Sequence, residues 1–112
     1  RSLAFERVFG RSVLLPLFED VVDRLPTFDL TVGLTAGLET RTRRYQQRAE
    51  NDLNDQFLFR NPEGFSRVDE ELMALVRDRL GGQVITTDEL APRQVFELVL
   101  QRAIAATTAA VT

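Results

Sequence analysis

Apolar residues recur along this chain at two different periods, and the change from one to the other separates helical from extended stretches. Leu3, Ala4, Phe5, Val8 and Phe9 fall on one face of a short helix, and Gly10 follows as its stop. A second helix is predicted from about residue 16 to 25. It opens on Pro16, carries Phe18, Val21, Val22 and Leu25 as its apolar stripe, and ends at Pro26. Val13 to Leu15 reads as a short strand ahead of it.

From Thr27 the period shortens to two. Phe28, Leu30, Val32, Leu34, Ala36 and Leu38 alternate with Asp29, Thr31, Gly33, Thr35, Gly37 and Glu39, which is the signature of a strand. The alternation predicts that this strand runs on through Arg41 and Arg43. The same residues also admit a helix built on Leu30, Leu34 and Leu38, with Gly33 and Gly37 as a close-packing pair. Two glycines and several threonines make the strand the better reading.

Helical spacing returns with Tyr45, Ala49, Leu53 and Phe57, predicting a helix to about Phe59. Asn61 to Gly64 reads as a turn. Ser66 with Asp69 forms a capping-box pattern for a helix whose buried stripe is Val68, Leu72, Leu75, Val76 and Leu80, stopped by Gly81 and Gly82. Gln83 to Thr86 reads as a short strand, and Pro92 opens a last helix. That helix carries Val95, Phe96, Leu98, Val99, Leu100, Ala103 and Ile104, against a narrow polar strip of Arg93, Gln94, Glu97 and Gln101. A helix apolar around most of its circumference needs cover on more than one side, from its own core or from a partner.

The elements together predict one α+β domain over residues 1 to 112, mostly helical, with four or five helices on a small sheet around residues 28 to 40. One strong strand and two short candidates leave that sheet open to completion by a partner. The first residue is Arg1 and the last stretch is rich in Ala and Thr, which reads as a piece of a slightly longer chain.

Composition then removes whole classes of chemistry. All 14 basic residues are Arg, and Lys, His, Cys and Trp are absent from the 112 residues. Without His or Cys there is no Ser-His-Asp triad, Cys-His pair, thiolate or imidazole metal site, or disulfide. Without Lys there is neither a Schiff base nor a phosphate loop of the Walker type. Hydrophobic residues at 44% and charged residues at 28% are ordinary for a globular chain. No apolar run reaches membrane-spanning length, and no signal peptide opens the sequence, so a soluble chain is expected, in the cytoplasm or within a large assembly rather than secreted.

Four groups of residues are candidates for function. Arg41, Arg43, Arg44 and Arg48 surround Tyr45, a combination of guanidinium forks and an aromatic that suits phosphates and bases. A net charge of −3 and flanking Glu39, Glu50 and Asp52 argue for an ion-paired surface instead. Asp52, Asn54, Gln56 and Glu63 echo the spacing of a calcium loop, but Phe57 stands where its glycine belongs and Pro62 interrupts it. Glu19 with Asp23, and Asp69 with Glu70 and Glu71, are paired carboxylates placed where helix N-termini favour acids anyway.

The fourth group is apolar: Leu34 and Leu38 on the strand, and Phe96, Val99, Leu100 and Ile104 on the last helix, as interface candidates. The expected function is accordingly that of a non-enzymatic structural or adaptor subunit, arginine-rich and without a cofactor or metal. It is expected to act through a protein partner or as a homo-oligomer, without membrane insertion. The alternative is a phosphate or nucleic-acid contact module using the arginine cluster.

Overall fold

A computed structural model describes residues 1–10, 14–48 and 53–111. Among these, six α-helices and two strands follow in the order α1 (Ser2–Phe9), α2 (Leu15–Asp23), β1 (Val32–Thr35), α3 (Leu38–Gln47), α4 (Leu53–Arg60), α5 (Pro62–Ala74), β2 (Gln83–Thr86) and α6 (Pro92–Val111). The mostly helical α+β domain with a small sheet is the observed architecture. β1 and β2 pair in parallel, with Val32 opposite Gln83 and Thr35 opposite Thr86. A parallel pair needs a long crossover, and α3, α4 and α5 supply it.

Several local expectations are corrected. The alternating stretch forms a ladder only over Val32–Thr35, because its partner strand is four residues long. Backbone bonds from Gln83 N–H to Thr31 O at 2.9 Å and from Thr87 N–H to Thr35 O at 2.8 Å close its two ends. Beyond Gly37 the chain turns into α3, so Arg41 and Arg43 stand on a helix, not on a strand, and Leu38 is its first residue. The long helix expected from Tyr45 is two helices, since α3 ends at Gln47 and α4 starts at Leu53. Leu15 belongs to α2, and the rest of the strand expected before it lies outside the described residues, except for Leu14, which precedes the helix as its cap. Asp52 also lies outside the described residues.

Asn61 to Gly64 is not a turn but the start of α5. Asn61 Oδ1 accepts the Gly64 N–H at 3.0 Å, and Pro62 occupies the first helical position, where no N–H is required. Ser66 and Asp69 therefore sit inside the helix. The main core lies where α1 crosses α5, around Leu3, Ala4, Val68 and Leu75, with Val8, Leu15, Phe18, Val22, Phe57 and Leu72 packed against it. Ala4 is completely buried and Val68 is 1% exposed. Gly64 allows Phe9 to approach, since a Cβ there would stand 2.5 Å from the Phe9 ring.

After Ala74 the helix continues as one π-helical turn, Leu75–Arg79, closed by a bond from Leu80 N–H to Leu75 O at 3.0 Å. The wider turn keeps Leu75 and Val76 buried and aims Arg79 at α2. Gly81 then takes a left-handed backbone, φ 61°, and the chain reverses into β2. Arg79 bridges Glu19 at 2.6 Å and also Asp23, while Arg7 bridges Glu19 at 2.7 Å and Glu71 at 2.8 Å. This chain of ion pairs ties α1, α2 and α5 together on the outside of the core.

The molecule is flat, 48 × 38 × 20 Å, with a radius of gyration of 15.8 Å, whereas a compact domain of this length has about 13 Å. Its surface of 8074 Å² compares with roughly 6200 Å² for a typical monomer of this mass. Large apolar side chains are exposed on and beside α2, at Leu14, Leu17, Val21 and Leu25, and along α6, at Phe96, Leu100 and Ile104.

Candidate functional site

The apolar circumference of the last helix calls for cover, and its own chain does not supply it. Among the described residues of α6 none is buried. Val95, Leu98, Val99, Ala103 and Ala106 are half-buried, whereas Phe96 is 65% and Ile104 57% exposed, with Leu100 nearly half exposed. Several described residues hold α6 in place. Val95 and Pro92 close one end of a groove, Arg102 donates to the Gln83 side chain, and Ala105 and Ala106 lie beside Phe28 to Thr31. Of the other apolar candidates, Leu34 is 47% exposed on β1 and Leu38 is half-buried at the start of α3.

Beside α6 lies an open groove of about 630 Å³. Leu34, Leu90, Pro92 and Val95 form its apolar wall, and Arg41, Arg44 and Arg48 stand along it, with no carboxylate among the described lining residues. The structure brings these three arginines to one place, as the cluster reading requires, but it also engages Arg41 and Arg44 internally. Arg41 pairs with Asp69 at 2.8 Å, donates to Ala36 O at 2.9 Å, and lies 5.0 Å over the Phe65 ring. Arg44 donates to Thr87 Oγ1 at 3.0 Å and to Thr87 O at 2.7 Å. Arg43 is exposed, and Tyr45 stacks on Phe59 with ring centroids 5.8 Å apart. One face of the only Tyr in the chain is thus occupied.

The groove is shaped by hydrogen bonds that cross the fold. Gly37 offers no side chain to cap α3, so Asp88, in the connection to α6, does so from a distance. Its Oδ1 accepts the Gly37 N–H at 2.9 Å and the Thr40 hydroxyl at 2.7 Å. These bonds, the hydroxyl first, hold the Asp88 carboxyl below its ordinary pKa. Asp69 accepts the Thr35 hydroxyl at 2.5 Å as well as Arg41, which links β1, α3 and α5.

Most of the candidate carboxylates are engaged by arginines. Glu19 and Asp23 face Arg79, Glu71 faces Arg7, and Asp69 faces Arg41. The Arg79 and Arg7 contacts, in that order, lower the Glu19 pKa. Gln56 lies on α4 and Glu63 in the first turn of α5, so the calcium-loop spacing falls on helices. Among the described residues no group of three or more acidic side chains is placed to hold a metal ion, and no helix is long and apolar enough to cross a membrane. Comparison with protein-family models, with curated proteins and with solved structures returns no match.

The α6 stripe and the arginines are visible in the sequence. Of the groups that organise the groove, Asp69 stands out in the sequence only as a helix-start carboxylate, and Asp88 and Thr87 carry no such signal. Those residues read locally as helix-start and turn residues, and their partners lie 28 to 52 positions away.

Proposed function

We propose that this chain is a non-enzymatic structural or adaptor subunit that works by protein-protein contact in an oligomeric assembly. The observation that supports this reading is α6: a 20-residue helix, rich in large apolar side chains, none of whose described residues its own chain buries. Most helical stability in proteins comes from packing of an apolar face, and exposed contiguous apolar patches usually mark contact sites. Light scattering on a sizing column, over a wide concentration range and at two salt concentrations, tests it. Masses above the monomer at both salts support an apolar contact. A monomer at every concentration removes the oligomer reading.

A second reading rests on the groove, where three arginines meet an apolar wall. It is a contact site for phosphate or nucleic acid. It predicts binding to an oligonucleotide that weakens steeply with salt and on Arg44→Ala, and salt-independent or absent binding refutes it.

A further inference from the structure

We infer that the outer edge of β1 accepts one further β-strand, an extended polypeptide segment from outside these 112 residues. This rests on the protein-contact reading above and names the surface and the chemistry of the partner. The register fixes which backbone groups lie on that edge. Gln83 and Thr87 donate to Thr31 O and Thr35 O, so Gly33 and Thr35 turn their backbone groups to β2, and Val32 and Leu34 turn theirs the other way. Among the described residues nothing bonds to the N–H and C=O groups of Val32 and Leu34. They repeat along the strand every 6.6 Å or so, about two residues of rise. Another extended backbone matches that alternation of donors and acceptors, whereas a helix or a compact anion does not.

Two features make β1, not β2, the receiving strand. The first is the length of its pattern. The alternation runs from Phe28 to Leu38, but β2 pairs only with Val32–Thr35, and Phe28 and Leu34 stay 55% and 47% exposed. Residues 30 to 38 hold no charge and no proline, the devices that ordinarily keep an edge from pairing. In β2 the apolar residues are only Val84 and Ile85.

The second feature is what flanks β1. A Cβ on Gly33 would stand 2.8 Å from Met73 Sδ and 3.3 Å from Val76, and the Thr35 hydroxyl meets Asp69, so that face lies on α5 and the turn after it. Leu34 projects from the opposite face, where Pro92 and Val95 of α6 line the groove with it. Parallel strands belong in sheets covered on both faces, and a strand added here would enter such cover and set an apolar side chain beside Leu34. Arg41 Nε donates to Ala36 O at 2.9 Å just beyond Thr35, and the open edge ends there.

The probe is a capped hexapeptide of alternating valine and threonine, with the same peptide N-methylated throughout as its control. Amide hydrogen exchange of the whole chain is followed by NMR as each is titrated to millimolar concentration. In the chain alone, Gly33 and Thr35 are expected to exchange slowly and Val32 and Leu34 quickly. The plain peptide is expected to slow Val32 and Leu34 about tenfold, and the methylated one to leave them unchanged. Leu34→Pro removes one outward N–H and none that reaches β2. It is expected to weaken peptide binding about tenfold, with Thr35 still protected as the sign of an intact sheet.

Exchange at Val32 and Leu34 that the plain peptide leaves unchanged, or that the methylated peptide slows equally, would overturn the inference, while assembly seen by light scattering would still stand. Slowing that follows the concentration of the chain itself, without peptide, would place a second copy on the edge and overturn it as well. A chain that is monomeric at every concentration yet takes the peptide would keep the strand site and remove only the oligomer.

Discussion

Asp69, on α5 and only 8% exposed, holds Arg41 of α3 at 2.8 Å while its other oxygen accepts the Thr35 hydroxyl of β1. One carboxylate thereby ties a strand to two helices. The Arg41 side chain is 22% exposed, so the pair is shielded but not dry. Removing one partner from such a pair leaves the other desolvated and uncompensated, whereas removing both is far less costly.

Asp69→Leu is therefore expected to destabilise the fold by roughly 3 kcal/mol. Arg41→Met combined with Asp69→Leu is expected to cost much less than the two single changes added together. Urea denaturation of the four members of the cycle measures the coupling, and additivity would show that the pair contributes nothing specific.

Ala4 tests the crossing of α1 and α5. It is completely buried in the core cluster beside Val68, leaving no room for a larger side chain. Ala4→Leu is expected to cost about 1 to 3 kcal/mol through overpacking. An unchanged urea midpoint would mean that the two helices separate without penalty.

The paired glycines after the π-helical turn separate two physical effects. Gly81 has φ 61°, and no atom lies within 4 Å of the point a Cβ would occupy, so Gly81→Ala adds only backbone strain, about 1 to 2 kcal/mol. At Gly82 a Cβ would stand 2.6 Å from the Thr31 carbonyl oxygen and 2.7 Å from Val76. Gly82→Ala is expected to be the more damaging change, because backbone and core must both shift. Thermal unfolding of the two variants ranks them.

Acid stability is expected to report Glu19, whose pKa is lowered by Arg79 and then by Arg7. A lowered native pKa means that the unfolded chain binds the proton first. The contribution of Glu19 is thus fully present above the ordinary glutamate value of about 4.3 and is lost as pH falls through the lower native value. Glu19→Gln is expected to flatten that part of the pH-stability curve. A variant whose acid limb matches the parent would show that these exposed pairs do not matter to stability.

Local spacing made much of this molecule legible. α1 with its stop at Gly10, the apolar side of α2 that packs inward through Phe18 and Val22, the stripe of α5, the reversal at Gly81, β2 and α6 all announce themselves through residues a few positions apart. Helix periodicity, proline and glycine act within a turn or two of chain, so their effects are written locally. The same holds for the exposed stripe of Phe96, Leu100 and Ile104, whose apolar character was plain while its exposure was not.

Tertiary structure decided the rest. The alternation from Phe28 to Leu38 stops being a strand at Thr35 because β2 offers only four partners, and α3 begins at Leu38 with Asp88 capping it from 51 residues away. Asp69, placed by the pattern at a helix start, is buried because Arg41 and Thr35 fold onto it. α6 lies outside the main core, which forms where α1 crosses α5. Hydrogen bonds, ion pairs and available volume join residues that are distant in sequence, and nothing in the periodicity of a single segment encodes its distant partner.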